Sequence, residues 1–162
     1  MSDHQPRILL LAEDDPDMAF LISRACGRML SGWEICHVRE GASALLRMQE
    51  TPAPDALITD LHMPGMDGFA LLEQIQKVHA WGSLPIFVLT ASIEPTDEDR
   101  CAQLGANGFF SKDPAEIRRS LFLLGRRFDR KMELPGVASF LDPVAWDKSG
   151  MGDARHEYKK TT

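Results

Sequence analysis

The sequence predicts an α/β fold: five βα units in series, (βα)5, forming a doubly wound, all-parallel five-stranded sheet. Three observations carry this expectation. Short apolar runs of strand length alternate with segments of helical period from Arg7 to about Phe128. The apolar runs are unbroken, as in Ile8-Leu9-Leu10-Leu11-Ala12, which suits parallel strands buried on both faces. Acidic, hydroxyl and basic residues stand where those runs end, and open parallel sheets gather functional groups at the carboxyl ends of their strands.

The elements follow in order. Ile8–Ala12 is the first strand. Asp15 is a suitable N-cap and Pro16 a suitable first helical residue for the helix that follows. Met18, Leu21, Ile22, Ala25 and Met29 form its expected inner face, and Ser31-Gly32 ends it. Trp33–Val38 reads as the second strand and Ala42–Gln49 as the second helix, stopped before Pro52. Ala56–Thr59 is the third strand, and the loop Asp60–Asp67 after it is rich in Met, Pro and Gly. Gly68 to about Ala80 is the third helix, with Leu71, Leu72, Ile75 and Val78 expected inward. Leu84–Leu89 is the fourth strand, and Glu94–Leu104 a polar, weakly periodic fourth helix. Gly108–Ser111 is the fifth strand, and Pro114 opens a fifth helix carrying Ile117, Leu121, Leu124 and Phe128 at helical spacing. Beyond it, turn signals such as Leu134-Pro135-Gly136 and Ser149-Gly150-Met151-Gly152 mark a change of texture. Residues 7–131 are therefore expected to form one domain. Residues 132–162 form a C-terminal extension with no recognisable output domain, either disordered or lightly docked through Phe140–Trp146.

Composition narrows the function. With 162 residues and 44% hydrophobic side chains, the chain can bury one real core. Its net charge of −6 argues against direct nucleic-acid binding, which needs a basic surface. No apolar run is long enough to insert in a membrane, and the polar stretch Met1–Arg7 has no secretory character. Cys26, Cys36 and Cys101 lack metal-ligand or CxxC spacing and read as core thiols of a cytoplasmic protein.

The strand ends carry the chemistry. The first ends in Glu13-Asp14-Asp15, the third in Asp60, the fourth in Thr90-Ala91 and the fifth in Lys112. Taken singly, an acidic pair is usually a helix cap, a lysine is solvated and a threonine is a turn residue. Jointly they place carboxylates, a hydroxyl and an ammonium on one edge. Converging carboxylates repel unless a cation neutralises them, and an all-oxygen site suits Mg2+. Such a site can hold phosphoryl oxygens while a carboxylate acts as nucleophile. Lys112 and Thr90 can bind the remaining oxygens.

These residues sit in motifs that resemble the receiver domain of bacterial response regulators, a flavodoxin-like fold, from Arg7 to about Phe128. Ile8–Asp17 (ILLLAEDDPD) resembles the first strand and acidic loop of that family. Ile58–Gly68 (ITDLHMPGMDG) resembles its phosphorylation loop closely. Val88–Ser92 (VLTAS) and Gly105–Lys112 (GANGFFSK) resemble its fourth and fifth strand ends. The resemblance implies Asp60 as phosphoacceptor. It implies Mg2+ ligated directly by Asp14, Asp60 and the His62 backbone carbonyl, and by Glu13 through water. It implies Thr90 and Lys112 on the phosphoryl group, and Phe109 as a switch aromatic paired with a movement of Thr90.

The expected partners are a sensor histidine kinase or a histidine phosphotransfer protein, and a downstream protein target. A homodimer through the face of the fourth helix, fifth strand and fifth helix is a further option. The implied function is that of a stand-alone receiver that catalyses only its own phosphorylation and dephosphorylation. Two features depart from the common pattern. Asp113 separates Lys112 from Pro114, so the usual cis peptide after the lysine is absent or moved by one residue, and a carboxylate beside Lys112 can weaken its hold on phosphate. Phe109 has no hydroxyl, so any switch works by packing. The competing readings are a receiver acting by protein contacts without phosphorylation, an aspartate-nucleophile phosphohydrolase of the haloacid dehalogenase type, and a flavin binder. The phosphohydrolase would carry its nucleophile in a DxD motif after the first strand. The flavin binder needs a Ser/Thr/Gly-rich phosphate loop, whereas this first loop is acidic.

Overall fold

A computed structural model describes residues 5–132. Ten regular elements alternate: β1 (Arg7–Ala12), α1 (Pro16–Met29), β2 (Trp33–Val38), α2 (Gly41–Met48), β3 (Ala56–Thr59), α3 (Gly68–Gln76), β4 (Ile86–Thr90), α4 (Pro95–Gln103), β5 (Gly108–Ser111) and α5 (Pro114–Phe128). The strands form one parallel sheet in the order β2-β1-β3-β4-β5. The alternation predicts the parallel (βα)5 sheet, and its order is the flavodoxin-like one that the resemblance implies. The strand order reverses beside β1, so the loops after β1 and β3 border the crevice where such sheets bind ligands.

The sheet is covered on both faces, which is why β3 and β4 are buried along their whole length. On one face, Leu9, Leu11, Ile58 and Leu89 pack against Ile22 and Cys26 of α1 and Ile117, Leu121 and Leu124 of α5. On the other, Leu10, Leu57 and Val88 pack against Ala44 and Met48 of α2, Leu71, Leu72 and Ile75 of α3, and Cys101 of α4. α4 is the lightly anchored helix. Cys101 is its one buried residue, and its outer surface is tied to α3 by Arg100, which pairs with Glu73 at 3.0 Å and lies 4.1 Å from the Phe69 ring centroid.

Three sequence expectations need correction. Leu21 is 52% exposed rather than inward, because the buried arc of α1 centres on Ile22 and takes in Ala19 and Cys26 instead. Neighbouring residues stand about 100° apart on a helix, so Leu21 falls off that arc. The third helix stops at Gln76, and a separate 3-10 turn, His79–Trp81, follows. Strand four begins at Ile86, so Pro85 lies outside it, and it includes Thr90. The reading of Phe140–Trp146 falls outside the described residues.

One backbone approach positions the rest. Gly68 starts α3 against the loop after β3, and its N–H donates to the Leu61 carbonyl at 2.9 Å. A Cβ there would overlap the Asp60 carbonyl oxygen and stand 2.7 Å from Leu61 Cα. Both obstacles are backbone and cannot swing aside. Gly68→Ala should therefore destabilise the domain by about 1–3 kcal/mol in urea unfolding, the usual cost of overpacking. Gly27 lies within α1 with nothing within 4 Å of its Cβ position, and Gly27→Ala should instead stabilise by about 0.5–1 kcal/mol.

Candidate functional site: an acidic pocket at the strand ends

The sheet's own hydrogen bonding brings the site together. Past the end of β1, the Glu13 N–H donates to the Val38 carbonyl at 3.0 Å, one residue beyond the paired strands. Past β3, the Asp60 N–H donates to the Ala12 carbonyl at 3.0 Å, and past β5 the Lys112 N–H donates to the Thr90 carbonyl at 3.1 Å. Glu13, Asp60 and Lys112 are thus each held by an extension of the ladder. Asp15 turns the chain at once into α1, its side chain accepting from the Asp17 and Met18 N–H groups, as an N-cap does. Leu61 and Met63 are buried and pin the loop after Asp60 onto the core.

Glu13, Asp14 and Asp60 each offer a carboxylate oxygen, and these oxygens lie within 4.8 Å of one another. Glu13 is 1% exposed and Asp60 5%, while Asp14 is half-buried. The Lys112 ammonium bridges two of them, at 2.6 Å from Asp60 Oδ2 and 2.8 Å from Glu13 Oε2. The other Asp60 oxygen, Oδ1, accepts from the Leu61 N–H at 2.6 Å. Three carboxylates against one ammonium leave the pocket short of positive charge.

The titration of the pair reflects that imbalance. Burial pushes the Glu13 carboxyl above its ordinary value of 4.5. The Lys112 hydrogen bond and charge pull it back only in part, and the neighbouring Asp60 charge adds to the rise. Burial works against the Lys112 ammonium, yet hydrogen bonds and charge from Asp60 and Glu13 more than offset it, so its pKa lies above the ordinary 10.5. Burial also pushes the Cys26 and Cys101 thiols up to about 12, which leaves neither as a nucleophile.

The other expected residues are placed as follows. Thr90 is fully buried at the end of β4, with the Ser92 N–H 3.4 Å from its Oγ1. The His62 side chain is exposed, while its neighbours Leu61 and Met63 are buried. Phe109 is half-buried on the sheet face covered by α2, α3 and α4, and pairs in register with Val88. Asp113 does not crowd Lys112. Its carboxylate accepts from the Ala115 and Glu116 N–H groups as the N-cap of α5, and bonds Ser111 Oγ. Among the described residues the cis peptide is Thr51–Pro52, so the bonds flanking Asp113 are trans. The sequence reading missed Gly68, whose role depends on a through-space approach. It also missed His37, near the end of β2, and Arg39, just past it, which reach back to the carbonyls of Glu13 and Asp14.

The set is all-oxygen, partly buried and negatively charged, the donor chemistry that fits Mg2+ rather than a softer ion. The sequence and the fold are similar to those of known proteins. The model of the response regulator receiver domain matches residues 9–121. The chain belongs to the response regulator receiver family. The transcriptional regulator NtrC of Klebsiella pneumoniae is 32% identical over 144 residues, covering 87% of this chain and 29% of NtrC. The sensor histidine kinase TmoS of Ectopseudomonas mendocina is 40% identical over 87 residues, covering 54% of this chain and 8% of the kinase. The chain thus spans less than a third of either relative. A response regulator receiver domain from Rhodospirillum rubrum superposes with a TM-score of 0.64 at 27% identity, covering 79% of this chain and 96% of that one. The chemotaxis response regulator CheY4 of Vibrio cholerae, at 24% identity and a TM-score of 0.63 over 72% of this chain and 96% of its own, shares the fold.

Linkage gives the receiver's metal-free stability a definite pH dependence. Glu13 has a raised folded pKa, so the folded state holds its proton to higher pH than the unfolded chain. Stability from this group is greatest below the ordinary value of 4.5 and falls as pH rises through the raised value. Glu13→Gln should remove that downward component, seen as the difference between wild-type and mutant urea midpoints across pH in chelator. Lys112→Met should cost about 3 kcal/mol at neutral pH, since it strands buried carboxylates, and Glu13→Gln in the same chain should recover part of the loss.

Proposed function

We propose that this receiver takes a phosphoryl group onto Asp60, with Mg2+ held by Asp14, Asp60 and the His62 backbone carbonyl, and by Glu13 through water. The supporting observation is the Asp60 carboxylate itself. It is nearly buried at a strand end, oriented by Leu61 N–H and Lys112, and within 4.8 Å of two further carboxylates. Bound there, Mg2+ would neutralise the carboxylates and offset charge on the transferring group. An Asp60 oxygen forms the bond to phosphorus as the bond to the donor's imidazole nitrogen breaks, and that nitrogen keeps the bonding pair, the ring leaving neutral because its other nitrogen carries a proton. Lys112 and the Thr90 hydroxyl donate to the phosphoryl oxygens.

The donor is a sensor histidine kinase or a histidine phosphotransfer protein, and the reader a downstream protein. Relatives of this module occur in both a kinase and a transcriptional regulator, which supports that range. Chemistry is confined to the domain's own phosphorylation and dephosphorylation. The three free cysteines suit a cytoplasmic setting, and no helix of the described residues is long and apolar enough to cross a membrane. The signal passes through the face of α4, β5 and α5, which would equally serve a homodimer. Thr90 moves toward the phosphoryl group, Phe109 fills the space behind β4, and the lightly held α4 shifts. Burying the ring would contribute roughly 1–3 kcal/mol to the phosphorylated arrangement.

Intact-mass analysis after incubation with Mg2+ and a small-molecule phosphodonor tests this reading. One phosphoryl mass should appear, only with Mg2+, and Asp60→Asn should abolish it. Undiminished labelling of the mutant would overturn the assignment.

A further inference from the structure

The acidic loop carries two metal-site carboxylates, and the end of β2 with the residue after it holds the loop's backbone by hydrogen bonds. His37 Nε2 lies 2.7 Å from the Glu13 carbonyl oxygen, and the Arg39 guanidinium donates to the Asp14 carbonyl at 3.3 Å. Between them, the Val38 carbonyl accepts the Glu13 N–H at 3.0 Å. Three successive residues, the last two of β2 and Arg39 just past it, therefore grip Glu13 and Asp14. The carbonyl of Glu13 can only accept, so His37 must present Nε2–H to it. The ring is otherwise on the surface. Among the described residues neither side chain pairs with the pocket's carboxylates; each meets a main-chain carbonyl instead.

We propose that His37 is a positioning residue for the acidic loop, with Arg39 as a second and longer clamp. It rests on the Mg2+ reading given above. Glu13 and Asp14 repel each other and Asp60, and among the described residues Lys112 pairs with Glu13 and Asp60. Left to itself, a loop bearing adjacent like charges relaxes by turning one carboxylate outward. Fixing the two carbonyls fixes the peptide planes from which the carboxylates project. The cost of gathering them is then met by folding rather than at each encounter with the cation. Glu13 Oε1 accepts from the Asp15 N–H at 3.2 Å next to the start of α1, and from Lys112 Nζ at 3.0 Å, so the Asp15 amide reports on how this carboxylate is held.

Two variants of the full chain test this. Gln places an amide N–H near the position of Nε2, whereas Leu keeps bulk and removes the donor. In His37→Leu without metal, the Asp15 amide should exchange with solvent several-fold faster, while β2 amides keep their protection. The calorimetric Mg2+ affinity of the same variant should fall about tenfold, the lower end for groups that support metal ligands from behind. His37→Gln should restore both measurements to near the wild-type values. Wild-type Asp15 exchange in His37→Leu, a Gln variant as impaired as the Leu variant, or faster exchange throughout β2 would each overturn the clamp. Failure of the wild type to bind Mg2+ would overturn the proposed function, and the metal-free exchange comparison would still decide the clamp.

Discussion

Three carboxylates share a pocket at the strand ends with a single ammonium, and most of the local architecture exists to tolerate that crowding. Glu13 and Asp60 are almost fully buried, where an unpaired charge is costly. Lys112 bridges both at salt-bridge distance, but it cannot balance three. The sheet enforces the arrangement, because Glu13, Asp60 and Lys112 are each fixed by a main-chain hydrogen bond just beyond a strand end. The hydrophobic layers on both faces provide the stability that outweighs the local repulsion. Gly68, Leu61 and Met63 then hold the loop after Asp60 tight against this pocket.

Much of this was legible in the sequence because it depends on local chemistry. Unbroken apolar runs locate the strands, and Asp15-Pro16 and Asp113-Pro114 mark helix starts whose capping bonds the structure shows. Asp113 was the harder case. Its proximity to Lys112 in sequence predicts interference, whereas in space its carboxylate is engaged by the first turn of α5. Leu21 was misplaced because an apolar residue at the edge of a helical stripe satisfies the periodicity without belonging to the buried arc. The grip of His37 and Arg39 on the acidic loop was illegible for another reason. It joins side chains to main-chain carbonyls across a distance in sequence of more than twenty residues, and carbonyls carry no residue signature.

The same layout accounts for how a chemical event in the pocket would reach the surface in the proposed mechanism. Thr90 belongs to β4 and is fully buried, so any motion toward Asp60 must be answered by its neighbours. β5 pairs with β4 and carries Phe109 on the face next to α4. Cys101 is the one buried residue of α4, and its ties to α3 include the exposed Arg100 contacts with Glu73 and Phe69 and the bond from Gln76 to the Gln103 carbonyl. Exposed ion pairs contribute little, so this helix offers the least resistance to displacement.

The central claim is that the pocket lacks positive charge and that a divalent cation completes it. Urea unfolding with and without Mg2+, for the wild type and Asp60→Asn, tests it most directly. At about one hundred times the dissociation constant, Mg2+ should stabilise the wild type by about 2.7 kcal/mol and Asp60→Asn by far less. An unchanged wild-type midpoint, or an equal shift in both proteins, would contradict it.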